Sequence, residues 1–581
     1  MELEDGTRLF YRAWRPETPT EKVMLMFHRG HEHSGRLEDV VHALGLGDVA
    51  VFAWDARGHG QSDGDRGYAP GFACMVKDLD TFAHHVCAAH GFEMPNLIVL
   101  AHSVGAVTAT TWVHDYAPPI RALVIATPAF KVKLYIPLAI PALRLLQWMK
   151  RGKKSFVKSY VKAKMLTHDA EQAKRYDDDP LIARAIAVNV LLDMHDTSKR
   201  VVADAGAIRV PTLLLYGGSD WVVSLGAQRR FFANLGSTDK RIEFFPEMYH
   251  DILHEKDRHL VIDKIRDFVE SAFNTASPRE PLLDADQRGY TFEEHARLSR
   301  PLTPLSPKWF NFGIQSLVIR TVARLSRGIR LGRATGFDSG QTLDYVYDNE
   351  PAGSLLIGKW IDRIYLGSVG WRGIRQRKVH VEKLLLRAIS SVADGGRPVR
   401  LLDVATGAGR YVLDALCAAT DVEVEALLRD VSPANLEVGR ALAAERKLEN
   451  VRFERGDAFD EDSVAGVDPE PNVAIVSGLH ELFPSNDAVS TSLRGVARAL
   501  RRGVEATGGT AYLVYTGQPW HPQLEMIARV LVNREGDQWV MRRRTQEEMD
   551  DLVREAGFKK IAMEIDGYGI FTVSLAELRA G

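Results

Sequence analysis

Leu97-Ile98-Val99-Leu100-Ala101-His102-Ser103-Val104-Gly105-Ala106 decides the fold of the first half of this chain. Four apolar residues run straight into a turn of small residues around a serine, the pattern of a buried strand that turns at once into a helix with a hydroxyl at its apex. Such a turn closes only if the positions two before and two after the serine are small. Here they are Ala101 and Gly105, where the usual motif has glycine at both.

A serine hydroxyl needs a base to take its proton and a carboxylate to orient that base. Both follow in chain order, each after a further strand-like run. Asp220 ends Thr212-Leu-Leu-Leu-Tyr-Gly-Gly-Ser-Asp220, and His250 follows Arg241-Ile-Glu-Phe-Phe-Pro-Glu-Met-Tyr249. Singly, Asp220 reads as a turn cap and His250 as a loop histidine; together with Ser103 they read as a catalytic triad. An acyl-transfer site also needs backbone donors for the developing oxyanion. Val104, directly after the serine, is one. Gly30, in the loop Phe27-His28-Arg29-Gly30-His31-Glu32-His33-Ser34-Gly35-Arg36 after the strand Val23-Met-Leu-Met-Phe27, is the other.

With Glu32-His-Ser-Gly-Arg36, Asp55-Ala-Arg-Gly-His-Gly-Gln-Ser62 and the three triad residues in hand, residues 1 to 274 resemble the monoacylglycerol lipase and lysophospholipase branch of the α/β-hydrolases. The resemblance implies an α/β-hydrolase fold with a helical lid at about 130–200, and an ester of glycerol carrying one acyl chain as substrate. One departure stands out. Arg29 and His31 occupy positions where that branch has glycine, which points to a cation at the mouth that selects a phosphate-bearing substrate, or to a distorted oxyanion hole.

The chain has 581 residues, too many for one hydrophobic core, so two or more domains are expected. Three scattered cysteines, Cys74, Cys87 and Cys417, indicate neither a disulfide framework nor a metal site, and a reducing, cytoplasmic compartment fits. No export signal or membrane-spanning run is evident, and a formal net charge of −2 argues against nucleic acid as a partner. The charge is unevenly spread. Ten basic and no acidic residues lie from Lys131 to Lys164. Lys154, Lys158 and Lys162 recur every four residues, opposite Phe156, Val157, Tyr160, Val161 and Met165, which predicts a basic amphipathic helix. A second basic helix is predicted from Lys308 to Arg333, with Arg320, Arg324 and Arg327 on one face and Phe310, Ile314, Leu317, Val318, Val322 and Leu325 on the other, after Trp309. Both suit peripheral contact with an anionic membrane, on the inner face if the chain is cytoplasmic; packed lid and inter-domain helices would read similarly. Proline-rich 275–307 reads as a linker.

The second half opens on Val399-Arg-Leu-Leu-Asp403-Val-Ala405-Thr-Gly407-Ala-Gly409, a strand running into a glycine turn and a helix. Asp430 ends the next strand-like run, suited to a ribose diol, and Asp457-Ala458 follows a third, where an adenine edge would lie. In all three motifs, residues 395–581 resemble the class I S-adenosylmethionine-dependent methyltransferases, which have a Rossmann-like fold. Ala405 stands where the usual pattern has its first glycine. The resemblance implies S-adenosylmethionine as cofactor, held by Asp403, Ala405, Gly407, Gly409, Asp430, Asp457 and Ala458. It places Gly478-Leu-His480-Glu481 facing the methyl donor, with His480, Glu481, Tyr515 and His521 as candidates at the acceptor site. Residues 308–394 would hold the basic helix and a helical cover, where Arg372, Arg375, Arg377 and Lys378 near Trp371 suit a phosphate or carboxylate on the acceptor. The whole order resembles bacterial bifunctional fusions of an α/β-hydrolase with a class I methyltransferase. The function expected is therefore ester hydrolysis and methyl transfer on related amphiphiles. A soluble carboxylesterase joined to a small-molecule methyltransferase, or a pseudo-hydrolase that docks lipid for the methyltransferase, are the alternatives. The oligomeric state is left open.

Overall fold

A computed structural model of the chain describes residues 1–150, 153–275 and 279–579. They divide into two compact units, Met1–Glu280 and Pro281–Gly581. Among the described residues each unit is built on one seven-stranded sheet.

In the first unit the sheet runs, in spatial order, Tyr11–Trp14, Ala50–Trp54, Val23–Phe27, Leu97–His102, Ala122–Ala126, Thr212–Gly217 and Lys240–Phe245. Only the first pairing is antiparallel. The strands from Val23 to Gly217 are buried along their whole lengths, because helices cover both faces of a parallel sheet, and their sequences are accordingly continuous apolar runs rather than alternating ones. This is the α/β-hydrolase fold. The strand Leu97–His102 lies in the middle of the sheet, and the helix Val104–Tyr116 starts one residue after it.

Between the strands at 122–126 and 212–217 lies a cap. It contains the helices Ala139–Met149, Ala170–Asp178 and Val188–Ala203 and one pair of short antiparallel strands. The helix expected around Lys154, Lys158 and Lys162 is not formed. Phe156–Lys158 is a strand paired antiparallel with Ala185–Ala187, so a tertiary partner overrides a helical spacing that local sequence allowed. Arg151 and Gly152 of that basic stretch lie outside the described residues.

The second unit has the sheet order Val451–Arg455, Val424–Asp430, Val399–Asp403, Val473–Val476, Thr510–Gly517, Thr572–Arg579, Lys559–Ile565. The first five are parallel and the last two form an antiparallel hairpin at the edge. The order reverses between Val399–Asp403 and Val473–Val476, so a crevice opens at the carboxyl ends of these strands, where ligands of such sheets bind. The fold is Rossmann-like. Helices Pro307–Val322, Arg327–Thr335, Gly340–Asp348, Leu355–Leu366 and Val369–Asp394 precede the sheet.

Two expectations are corrected here. The stretch read as a linker, 275–307, is from Pro281 onward part of the second unit: it carries the helix Tyr290–Ser299, and Leu282 N–H donates to Asp551 while Asn486 N–H donates to Asp286. Prolines there mark turns of a docked segment; residues 276–278 lie outside the described residues. The helix expected across 308–333 is broken at Ala323–Ser326. Ser326 is buried and caps a new helix by accepting from Ile329 N–H at 3.1 Å, and Arg327 lies over the Tyr345 ring. Among the described residues no helix is long and apolar enough to cross a membrane.

Candidate active sites

The structure brings Ser103, Asp220 and His250 together. Ser103 sits at φ 54°, ψ −109°, a strained conformation for a side chain other than glycine, which lifts its hydroxyl out of the turn. A Cβ on Gly105 would stand 2.5 Å from the His28 carbonyl oxygen, so the small residue there is required by the close packing of helix and strand. His250 Nε2 lies 2.8 Å from Ser103 Oγ, and its Nδ1 lies 2.8 Å from Asp220 Oδ2. Asp220 Oδ1 accepts from the backbone N–H groups of Val222 and Val223 at 2.7 and 2.9 Å, which fixes the carboxylate plane. Burial would lift the Asp220 carboxyl, but the His250 imidazole and the two backbone donors outweigh it and hold it below the usual carboxylate range.

Val104 N–H belongs to the first turn of its helix, whose first four N–H groups have no partner within the helix. Gly30 lies across from it, since a Cβ there would meet the Val104 side chain at 2.8 Å. The two expected oxyanion donors therefore flank the serine. Asp55 braces this region, accepting from Ser34 N–H at 2.6 Å and Gln61 N–H at 2.7 Å and so joining the two loops whose motifs carry the resemblance. Arg29 lines the cavity beside Gly30 and Ser103, but its charge is already met within the fold. It is 3% exposed, pairs with Glu32 at 2.9 Å and Asp251 at 3.5 Å, and stacks on Tyr176. Its charge is compensated beneath the site, a role that a loop sequence cannot reveal because Asp251 and Tyr176 are remote in the chain. A cavity of about 420 Å³ lies over Ser103 and His250, lined largely by apolar cap residues such as Leu143, Leu146, Val190 and Met194.

In the second unit the glycine turn, Asp430 and Asp457 gather at the crevice. Asp403 is fully buried; burial pushes its carboxyl up to about 7, against the hydrogen bond it accepts from Tyr411 at 2.9 Å. A cationic group beside it would relieve that cost. Gly407, at φ +59°, has nothing within 4 Å of where a Cβ would stand, so its backbone is open to a ligand. Asp430 already accepts from Gly407 N–H, Ser432 N–H and the Asn435 amide at 2.9, 2.8 and 3.1 Å, leaving about one of a carboxylate's four lone-pair positions. Exposed Asp457 accepts from Phe459 N–H, next to buried Ala458. Ala405, half-buried, packs on the core behind the turn. An ammonium at Asp403, a ribose hydroxyl at Asp430 and an adenine edge at Asp457 and Ala458 suit this set.

The four acceptor candidates separate. His521 and Glu481 line an apolar cavity of about 180 Å³ with Trp371, Arg377, Gln518 and Phe571. Burial pulls the His521 imidazole down to about 4, so it is neutral at pH 7; its Nδ1 accepts from Gln523 N–H at 3.0 Å, which leaves the proton on Nε2. Glu481 accepts from Thr516 Oγ1 at 2.7 Å, and its Oε2 has no protein partner. Tyr515 is corrected: its ring is buried in the core and its hydroxyl donates to Asp550, away from this cavity. His480 is likewise turned aside, with Nε2 3.2 Å from Ser492 Oγ. His480 lies one residue from Glu481, which does line the cavity. Of the cationic run, only Arg377 reaches the cavity, 3.6 Å from Glu481. Arg372 lies over Tyr568, Arg375 donates to the carbonyls of Val346 and Leu366, and Lys378 pairs with Glu382 and Asp414.

Comparison with known proteins divides the chain similarly. A family model described as "Putative methyltransferase" matches residues 265–578, and one described as "Serine aminopeptidase, S33" matches residues 18–257. Over 578 residues the chain is 47% identical to the uncharacterized protein YnbC of Escherichia coli (strain K12), covering 99% of this chain and 97% of that one. The first part is 25% identical over 268 residues to a monoacylglycerol lipase of Mycolicibacterium smegmatis, covering 46% of this chain and 94% of the relative. Among solved structures, the monoacylglycerol lipase of Paleococcus ferrophilus aligns with a TM-score of 0.42 at 24% identity, over 46% of this chain and 99% of that one.

Proposed function

This chain belongs to the family described as "Putative methyltransferase", whose model spans residues 265–578, joined to an α/β-hydrolase unit, and from that premise we propose a two-site enzyme: an ester hydrolase working through Ser103 and an S-adenosylmethionine-dependent methyltransferase. The observation that carries the first activity is His250 lying 2.8 Å from both Ser103 Oγ and Asp220, beneath an apolar cavity. Ser103 Oγ attacks the acyl carbon and its proton passes to His250 Nε2. Asp220 holds the other ring proton on Nδ1, and the N–H groups of Gly30 and Val104 receive the oxyanion. His250 then protonates the departing alcohol, and water releases the acyl group by the same steps in reverse order. The apolar lining, and the likeness to a monoacylglycerol lipase, favour an acyl ester of a monoacylglycerol- or lysophospholipid-like substrate.

For the second site, S-adenosylmethionine supplies, when bound, a methyl group on a sulfonium. Asp403 would hold its ammonium, Asp430 its ribose, and Asp457 and Ala458 its adenine, over the backbone of Gly407 and Gly409. The chain's own task is then mainly alignment of the acceptor. His521, with its proton on Nε2, would donate a hydrogen bond to the acceptor, and Glu481, whose Oε2 has no protein partner, would take a proton from an oxygen or nitrogen acceptor. The small, mostly apolar cavity favours an amphiphile.

Fluorophosphonate labelling read by intact mass tests the first site. Wild type should gain one adduct and Ser103→Ala none. No adduct on folded wild type would refute the hydrolase reading and leave the first unit as a lipid-docking module.

A further inference from the structure

Two helices of the second unit have unlike faces. On Pro307–Val322, Ile319 and Val322 pack inward, while Phe310, Ile314, Leu317 and Val318 stand outward, 49, 62, 65 and 52% exposed. On Leu355–Leu366, Gly358, Asp362 and Leu366 are buried, while Leu356, Ile357, Trp360 and Ile364 are 85, 63, 61 and 55% exposed. Spacings of three and four residues put each outer set on one stripe. Single exposed apolar residues are ordinary; eight on two helices are not.

Lys308, at the start of the first helix, is paired with Glu525; the other exposed charges on and just after the two helices are all cationic. Exposed Arg320 and Arg324 flank the first stripe, and exposed Lys359 and Arg363 the second. The first helix contains no acid. The second contains only Asp362, buried and taken up by Ser326 and Tyr345. Both helices also wall the apolar cavity from behind, through Ile319 and Tyr365.

We propose that the outer faces of these two helices dock on an anionic lipid surface, from which the cavity behind them takes an amphiphilic methyl acceptor. The second clause rests on the methyltransferase reading; the docking does not. A bilayer offers apolar depth and anionic headgroups together, matching apolar stripes edged by cations. A second copy of this chain paired through the same patch would bring the same four cations of each copy, Arg320, Arg324, Lys359 and Arg363, into one interface, so like charges would meet.

The test sediments the full-length protein with vesicles of phosphatidylcholine and phosphatidylglycerol in equal parts, and with phosphatidylcholine alone. Wild type is expected to bind the mixed vesicles and to bind the neutral ones about tenfold less. The pair Leu356→Glu with Trp360→Glu, and the pair Arg320→Glu with Arg324→Glu, should each weaken binding to mixed vesicles about tenfold. Their unfolding temperatures and their S-adenosylmethionine affinity by calorimetry should match wild type. Trp148→Glu, on the cap helix of the first unit and 76% exposed in wild type, serves as comparator. Wild type that fails to sediment, both pairs binding like wild type, or a loss confined to Trp148→Glu would each overturn the proposal. So would a wild-type dimer that the outer-face pairs convert to monomer, since a second copy would then cover the face. Absence of S-adenosylmethionine binding in every protein would instead remove the methyltransferase reading and leave the docking result standing.

Discussion

Asp220→Asn should abolish nearly all hydrolysis while leaving the fold intact, and the structure says why. Asp220 Oδ1 accepts from two buried backbone donors at 2.7 and 2.9 Å, while Oδ2 faces His250 Nδ1 at 2.8 Å. An asparagine has one oxygen. Turning its NH2 toward Val222 and Val223 would leave two buried N–H groups unpaired, at about 1–3 kcal/mol each, so the amide oxygen stays there and the NH2 faces His250. The imidazole must then accept at Nδ1 and carry its proton on Nε2, where it can no longer take the Ser103 proton. A misplaced tautomer of this kind lowers kcat about 10⁴-fold, about 5 kcal/mol in the barrier. The assay is turnover of a short-chain nitrophenyl ester, beside Ser103→Ala as a floor and with thermal unfolding as a check on folding. A loss of less than about tenfold in a folded variant would refute the reasoning, because Asp220 would then not be setting the tautomer of His250.

Two further outcomes follow from buried charges. Asp403, with its carboxyl pushed up to about 7, must lose its proton before it can hold a ligand ammonium, so affinity for S-adenosylmethionine should rise with pH and fall about tenfold from pH 8 to pH 6. Calorimetry should find proton release on binding at pH 6.5, and Asp403→Asn should bind more weakly with no such pH dependence; an unchanged pH profile in that variant would remove Asp403 from the site. Arg29→Met leaves Glu32 and Asp251 short of a buried partner, and should cost about 3 kcal/mol of stability by denaturant unfolding of the first unit without changing the preference between neutral and phosphate-bearing esters. A changed preference at unchanged stability would return Arg29 to the mouth of the site.

The elements most legible in the sequence were those whose identity is local. A strand buried on both faces is a continuous apolar run, and a turn that must close between strand and helix demands small residues. Thus Leu97–His102 with Ser103 and Gly105, and Val399–Asp403 with Gly407 and Gly409, are legible from neighbouring residues alone. The segments misread were amphipathic ones, where spacing permits more than one partner. Phe156–Lys158 became a strand because Ala185–Ala187 lies beside it, and the basic helix broke where Ser326 was needed to cap and to meet Asp362.

By itself, then, the sequence determined two α/β units, the order Ser103, Asp220, His250, and the acids at the ends of three strands of the second sheet. Only the tertiary structure decided which polar groups are taken up by partners in the fold and which line the cavity of the second unit. Arg29, His480, Tyr515 and Lys378 look as functional in sequence as Arg377, Glu481 and His521. The first four find partners within the fold, in Glu32 and Asp251, Ser492, Asp550, and Glu382 and Asp414. The physical reason is that a charge or hydroxyl is defined by what compensates it, and most of those partners lie tens or hundreds of residues away, or on the far side of a strand whose register is fixed only when the sheet assembles.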